Sequence, residues 1–160
     1  MPRRKSVNFI REIGVDPRYS SELVQKLINV VMWRGKKNAA RHIVYEAFEV
    51  LEKKVGGDKN KAVDLFLDAF ENVIPKIEVR PRRVGGSVYQ IPVAVEDRRA
   101  RALGLRWLVG AAKVRNEKTM GQRLGRELLE AVENRGGAVK KRTDVHKMAE
   151  ANRAFSHFAW

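Results

Sequence analysis

The sequence lacks cysteine altogether, and this absence excludes disulfide bonds, thiol catalysis, cysteine-ligated zinc and iron–sulfur clusters. It also lacks any apolar run near the roughly 18 residues of a membrane-spanning helix, so we expect no membrane partner. The first residues are basic but precede no apolar segment, which argues against a secretory signal. We therefore expect a cytoplasmic or equivalent reducing location. Because hydrophobic residues make up 44% of the 160 positions, the chain should fold around a core.

Acidic residues are also few, with 19 Asp and Glu against 33 Lys and Arg and a net charge of +14. Much of the acid lies in one segment, residues 44–72, which holds seven acids and four lysines. One short basic cluster is usually only a solvated surface, but five on one small chain favour a polyanion partner. The five basic clusters are Arg3, Arg4 and Lys5; Arg34, Lys36 and Lys37; Arg80, Arg82 and Arg83; Arg98, Arg99 and Arg101; and Lys140, Lys141 and Arg142.

Hydrophobic periodicity predicts a mainly α fold, a bundle of about six helices with an inserted, protruding β-hairpin. Residues 1–19 lack this periodicity and are predicted to be a basic N-terminal arm, and residues 20–160 are predicted to be a single helical domain that includes the hairpin. Side chains suited to cap helices precede three of the periodic segments. They are Ser20 or Ser21, Asp58 and Thr119.

The sequence period changes to two at about residues 76–92, where Gly85 and Gly86 separate two β-favouring runs and predict a hairpin turn. Pro81 cannot donate to a strand ladder, so we expect an irregular or edge-like strand near it. Tyr89 has two interpretations of equal weight. It either stacks on an unpaired base or packs the hairpin against the helices.

After the hairpin, apolar and small residues again recur at helical spacing. Four of them trace one stripe, which we predict to face the core of the bundle. They are Leu103, Trp107, Gly110 and Val114, with Leu108 and Ala111 beside them.

No residues have the spacing of a catalytic or metal site. The histidines His42, His146 and His157 offer no i, i+4 pair and have no cysteine as co-ligand, so no metal or other cofactor is predicted. Residues 35–37 are similar to the end of a phosphate-binding loop, but they lack its upstream glycine and its Ser or Thr. We therefore expect no small-molecule substrate and interpret the protein as a binder, not an enzyme.

The choice between RNA and DNA depends on shape. A DNA-reading helix-turn-helix needs a short turn before a base-reading helix, and residues 32–38 are the nearest candidate. The helix that follows opens with residues 39–41 (AAR), which offer little to read base edges. Scattered clusters with one ribbon fit folded RNA better. A DNA-binding regulator is the second hypothesis, and a metal-independent ribonuclease that uses His42 or His146 is the third.

Four stretches occur in an order that points to a known family: DP at 16–17 with GKKNAA at 35–40, RRVGGSVYQIPV at 82–93, ALGLRWLV at 102–109, and AVKKRTDVHKMAEANRAF at 138–155. Together they make the chain from about Pro17 to Trp160 resemble the small-subunit ribosomal protein family numbered seven, of the bacterial or organellar type. The chain departs from the family pattern at Trp33 and Arg34, where a small or aliphatic residue and an acid are expected.

This resemblance implies a helical bundle with a protruding β-ribbon that binds the 3′ major domain of small-subunit ribosomal RNA and starts assembly of the subunit head. It also implies a ribosome-bound position near the exit-site tRNA and messenger, beside the ninth and eleventh small-subunit proteins. The expected ribosomal RNA contacts are Arg3, Arg4, Lys5, Arg34, Lys36, Lys37, Arg80, Arg82, Arg83, Arg98, Arg99 and Arg101. The residues expected to lie toward tRNA and messenger are Val84, Gly85, Gly86, Lys140, Lys141 and Arg142.

Overall fold

The computed structural model describes residues 12–158, so the predicted contacts Arg3, Arg4 and Lys5 lie outside the described residues. Within this range the elements are α1 (Glu22–Val31), α2 (Lys37–Lys54), α3 (Lys59–Glu71), β1 (Ile77–Val84), β2 (Ser87–Ala94), α4 (Asp97–Val114), α5 (Met120–Val132), α6 (Gly137–Ala151) and a 3-10 helix (Arg153–Phe158). The predicted bundle of about six helices with one inserted hairpin is confirmed. Among the described residues, no helix combines the length and the apolar character needed to cross a bilayer.

Three helices begin where the sequence supplies a capping side chain. The Ser21 hydroxyl, the Asp58 carboxylate and the Thr119 hydroxyl each accept a hydrogen bond from a backbone N–H in the first turn of α1, α3 and α5. Each bond satisfies an N–H that has no partner inside its helix. The three predicted helix starts are confirmed.

Helix α5 lies at the centre of the bundle, because it packs against α2, α3 and α4. Its buried face carries Leu124 and Leu128. Gly125 lets α2 approach closely, since a Cβ at this position would lie 2.8 Å from Val50. Helix α4 also packs against α6, and α6 packs against the hairpin. The core thus sets α4, α6 and the hairpin side by side.

Residues 16–19 pack onto α2, although they belong to the segment predicted to be an arm. The Asp16 carboxylate is 1% exposed and accepts hydrogen bonds from two backbone N–H groups of its own turn, at 3.0 and 3.1 Å, and from the Tyr45 hydroxyl at 2.9 Å. The hydroxyl of the buried Tyr19 donates to Glu52 of α2 at 2.9 Å. The packed part of the chain therefore includes Asp16. Periodicity does not reveal this turn, because one carboxylate holds it and not a repeat of apolar residues.

The buried face of α4 differs from the predicted one. Val114 is 82% exposed, Gly110 is exposed, and Leu103 and Trp107 are only partly buried. The face that meets the core is instead formed by Ala100, Gly104, Leu105, Leu108, Val109 and Ala112. Both sets have helical spacing, so periodicity alone does not choose between them. The predicted stripe of four residues is wrong as a core face, because it lies along the outer edge of α4. Of the two residues predicted beside it, Leu108 is fully buried and Ala111 packs against the core.

The two strands pair antiparallel in unbroken register, and Val84 opposite Ser87 closes a two-residue turn. The turn residues Gly85 and Gly86 have φ values of +56° and +93°. Positive φ at both turn positions matches the twist of the strands, and glycine adopts it without a steric penalty. The predicted Gly-Gly turn is confirmed.

The hairpin accommodates two prolines without losing its register. Paired positions in an antiparallel ladder alternate between hydrogen-bonded and non-hydrogen-bonded. Counted back from the closing pair of the turn, Pro81 and Pro92 both fall at non-hydrogen-bonded positions. A missing N–H does not weaken the ladder at such a position, so β1 is regular at Pro81 and the predicted irregularity is wrong. The alternative prediction of an edge-like strand is confirmed, because both strands of a two-stranded sheet are edge strands.

The hairpin is fixed to the end of the chain and to α6. The ring of Tyr89 lies 4.8 Å from that of Phe155 and 6.3 Å from that of Phe158, centroid to centroid, so Tyr89 packs β2 against the 3-10 helix. This geometry supports the packing interpretation of Tyr89. Just before β1, the backbone N–H of Lys76 donates to Nε2 of His146 at 3.2 Å.

The hairpin anchor at His146 should make the fold sensitive to mild acid. Burial lowers the pKa of His146, and the charges of Arg142 and Lys76 lower it further. Because the folded pKa lies below the unfolded value of about 6.5, the stabilisation is complete above that pH and is lost as pH falls through it. Between pH 7.5 and 5, the melting temperature of the native protein should fall by roughly 1–3 °C more than that of a His146→Gln variant. Parallel curves for the two proteins would contradict this role.

Candidate nucleic-acid interface

The hairpin and α4 meet at one shared carboxylate. Glu78 on β1 is 7% exposed and accepts hydrogen bonds from Nε of Arg99 on α4, at 2.8 and 3.0 Å, and from Nε of Arg80 at 2.5 Å. Arg80 stands two residues after Glu78, so the two side chains project from the same face of the strand. Two basic clusters that are separate in the sequence are thus joined at one point.

The two arginines keep Glu78 ionised. Burial alone would raise the pKa of Glu78, but the hydrogen bonds from Arg99 and Arg80 outweigh it and hold the pKa below its usual value. Among the described residues, the hydrogen bonds of both arginines run through Nε, and their side chains are about half exposed. The terminal nitrogens of both guanidinium groups are therefore available to a phosphate.

Helix α4 extends this basic surface along its outer edge. Arg99, Arg106 and Lys113 follow one another at intervals of seven residues, which places them on one face of the helix, and all three are exposed. Arg98 and Arg99 share a shallow depression of about 230 Å³ with Arg106. Arg106 and Lys113 are absent from the predicted contacts, although their seven-residue spacing from Arg99 is visible in the sequence.

Helix α6 adds Lys141 to the surface. Lys141 on α6 and Arg106 on α4 both line a groove between these two helices. Lys140 is also exposed, whereas Arg142 is partly buried and lies near enough to His146 to lower its pKa. Successive residues of a helix project about 100° apart, so the three bases of this cluster do not form one patch.

The loop between α1 and α2 reaches the other end of α4. Trp33 is 67% exposed, and Nζ of Lys113 lies 5.7 Å from the centroid of its indole ring, a cation–π contact. One residue at which the chain departs from the family pattern thus joins the loop to α4. The predicted contacts here are all exposed, namely Arg34 and Lys36 of the loop and Lys37 at the start of α2.

Two of the predicted basic clusters, one on β1 and one on α4, do not keep all their residues on one surface. Arg82 and Arg83 are neighbours on β1 and project from opposite faces of the hairpin, and Arg82 shares the face of Arg80. Arg101 stands about 200° around α4 from Arg99 and lines a groove that α1 and α3 also line. We define the basic surface by the residues linked above, which are Trp33, Arg80, Arg98, Arg99, Arg106, Lys113 and Lys141.

Neighbouring acids neutralise few of the predicted contacts. Arg80 and Arg99 share the single charge of Glu78. Within residues 12–158, nine others form no ion pair: Arg34, Lys36, Lys37, Arg83, Arg98, Arg101, Lys140, Lys141 and Arg142. The other ion pairs of this range use bases outside the predicted set, such as Arg18, Lys54 and Arg115. The positive field of the predicted contacts is thus largely uncompensated, as attraction of a polyanion requires.

The histidines sit on three different elements: His42 on α2, His146 on α6 and His157 in the 3-10 helix. His146 accepts the Lys76 N–H, and Nδ1 of His157 lies 2.8 Å from the carbonyl oxygen of Ala154. In the described part of the chain, no three His, Asp or Glu side chains group as metal ligands. This arrangement gives the ribonuclease hypothesis no support.

Comparison with known proteins gives one family. The profile of the family described as ribosomal protein S7p/S5e matches residues 2–153. The chain is 53% identical to a relative from Afipia carboxidovorans and 54% identical to one from Bradyrhizobium sp. strain BTAi1, over the full length of both chains in each case. It is 56% identical to a relative from Rhodopseudomonas palustris strain TIE-1 over 150 residues, 94% of each chain. All three relatives are named small ribosomal subunit protein uS7.

Proposed function

The chain belongs to the ribosomal protein S7p/S5e family, a structural and non-enzymatic constituent of the ribosome, and from this premise we propose that it binds the 3′ major domain of small-subunit ribosomal RNA directly. In this role it starts assembly of the subunit head, in the cytoplasm, and it lies near the exit-site tRNA and the messenger. Its protein neighbours are the ninth and eleventh small-subunit proteins.

The observation that carries the proposal is the continuity of the basic surface. Glu78 joins Arg80 of the hairpin to Arg99 of α4, and the groove beside α4 joins Arg106 to Lys141 of α6. Four elements that are distant in the sequence therefore present their charges together, the fourth being the loop that carries Trp33. A surface of this kind matches the shape of a folded RNA better than one base-reading helix does.

The chemistry of the cations also fits a fixed phosphate backbone. A guanidinium group binds phosphate with two parallel hydrogen bonds in one plane, whereas an ammonium group acts as a mobile point charge. Arginine occupies the positions where hairpin and α4 meet, and lysine occupies the periphery at Lys113 and Lys141. We therefore expect the firmest RNA contacts at Arg80, Arg99 and Arg106.

The hairpin tip and the last basic cluster complete the proposal. Gly85 and Gly86 are exposed, and a Cβ at either position would meet no protein atom within 4 Å, so another backbone can approach the tip closely. Val88 beside the tip is 65% exposed. We assign this tip, together with the exposed Lys140 of the last basic cluster, to the side that faces tRNA and messenger, whereas Lys141 belongs to the basic surface and Arg142 is partly buried.

Loss of Arg99 and Arg106 should weaken binding to a 3′ major domain RNA fragment. We expect the double variant Arg99→Ala, Arg106→Ala to lose about 1–2 kcal/mol, a factor of roughly 5–30 in affinity. Two fewer phosphate contacts should also make the slope of log affinity against log salt shallower by roughly 1.5. Filter binding at several salt concentrations gives both values, and circular dichroism reports the helix content.

The matched control is Arg135→Ala. It also removes an arginine, but from an exposed ion pair with Glu133 that lies outside the basic surface. It should bind RNA nearly as the native protein does. Equal losses of RNA affinity in the control and in the double variant would refute the assigned surface. Tighter binding of the native protein to duplex DNA than to the RNA fragment would favour the DNA-binding hypothesis.

The position of the hairpin tip predicts a specific cross-link. A photoreactive residue in place of Ser87, at the exposed end of β2, should cross-link to tRNA or messenger in assembled subunits. The same residue in place of the exposed Asn60 on α3 should not. Sequencing of the cross-linked RNA identifies the partner. A Ser87 product with ribosomal RNA alone would remove the tip from the tRNA and messenger side.

A further inference from the structure

The groove between α4 and α6 has an apolar floor and a basic rim. It has a volume of about 510 Å³, within the range of sites that hold small ligands. Gly110, Ala111 and Val114 of α4 line it together with Trp107, and Arg106 and Lys141 add positive charge from the two helices. The groove therefore combines an apolar surface with cations on both sides.

Gly110 is a glycine that the fold does not require. Glycine inside a helix is less favourable than alanine, and Gly110 lies in the 18-residue helix α4 at an exposed position. Three other helical glycines have a packing reason, because a Cβ at Gly104, Gly121 or Gly125 would lie at most 3.0 Å from a neighbouring side chain. A Cβ at Gly110 would meet nothing within 4 Å. The absence of a side chain at Gly110 therefore leaves an open space, and no part of the described chain fills this space.

Two large apolar side chains beside Gly110 also lack full cover. Val114 is 82% exposed, and Trp107 packs on the core with only part of its surface. A partly exposed indole ring that lines a groove beside a glycine leaves room for a flat ring. Aromatic side chains commonly stack on unpaired bases of single-stranded RNA. The apolar lining therefore favours a planar heterocycle as the occupant.

The charges of the groove favour a nucleotide over a neutral apolar ligand. Arg106 and Lys141 are both exposed and form no ion pair among the described residues. The acid at the groove, Glu127, is fully buried and is bound by Nη1 of Arg115 at 2.6 Å and by the N–H of Ala138 at 2.8 Å. Its charge is compensated, so the net field at the rim is positive and attracts phosphate.

We propose that this groove receives one unpaired base of the ribosomal RNA, which stacks on Trp107 over Gly110 while its flanking phosphates contact Arg106 and Lys141. The inference rests on the proposed RNA-binding function and specifies the form of one contact. It also explains why α4 presents an apolar stripe on its outer edge, between basic residues of the surface.

The test fills the groove without changing its charge. Gly110→Leu should lower affinity for the 3′ major domain RNA fragment by about tenfold or more, because the added side chain occupies the place of the base. Gly110→Ala should lower affinity less, by a few-fold, and should raise the melting temperature of the free protein by roughly 2–4 °C, since alanine favours the helix. Asn60→Leu, which adds an exposed leucine to α3, is the control and should bind normally.

A second readout follows the base directly. In a Trp33→Phe, Trp160→Phe background, Trp107 is the only tryptophan, and the RNA fragment should quench its fluorescence. The quenching should disappear when Gly110→Leu is added. Chemical probing should show one unpaired nucleotide that the native protein protects and the Gly110→Leu variant leaves reactive.

The outcomes separate this inference from the function on which it rests. Native affinity and native protection in Gly110→Leu, with reduced affinity in the Arg99→Ala, Arg106→Ala variant, would overturn the base site and leave the RNA-binding proposal intact. Absence of RNA binding by the native protein would overturn both. Weaker binding of both Gly110 variants, with a stabilised Gly110→Ala fold, supports the base site and excludes misfolding as the cause.

Discussion

The basic surface depends on one buried carboxylate. Glu78 lies between Arg80 of the hairpin and Arg99 of α4 and accepts hydrogen bonds from both. Without its charge, the two guanidinium groups would repel each other at the junction of the two elements. The other hairpin anchors, Tyr89 against Phe155 and Lys76 against His146, hold the ribbon to α6 and to the 3-10 helix but do not orient these cations. The carboxylate therefore fixes the positions of the two guanidinium groups in the free protein. Because they are already ordered, the proposed binding of RNA costs less side-chain entropy.

The molecule separates its structural ion pairs from its binding charges. Arg115 is bound by Glu117, Glu127 and Glu130 and joins the end of α4 to α5, while Arg18 pairs with acids of α2. Apart from Arg99, which shares Glu78 with Arg80, the exposed bases of α4, α6 and the α1–α2 loop form no ion pair among the described residues. This arrangement suits the proposed role of holding folded RNA. The ion pairs of Arg115 and Arg18 stabilise the packing of the helices, while the unpaired bases on the surface can interact with phosphates.

The sequence alone predicted those features that depend on interactions between residues close together in the chain. The caps at Ser21, Asp58 and Thr119 and the Gly85–Gly86 turn follow from hydrogen bonding and dihedral preference within a few residues, and the structure has all of them. The buried face of α4 was predicted wrongly, because two stripes on that helix are apolar and only packing against Phe70 and its neighbours decides between them. Sequence clusters also do not map onto surface clusters. Arg99 and Arg101 diverge around a helix and Arg82 and Arg83 across a strand, whereas Arg99 and Arg106 come together through the helical repeat.

The most direct test of this account is the RNA affinity of Glu78→Gln, measured at fixed salt against the 3′ major domain RNA fragment. The substitution keeps the shape of the side chain and raises the net charge of the protein by one. If charge alone governed binding, the variant would bind more tightly than the native protein. Because Glu78 positions Arg80 and Arg99, we predict the opposite, a loss of roughly 3- to 10-fold with native helix content. Equal or tighter binding by Glu78→Gln would contradict the claim that this carboxylate organises the surface.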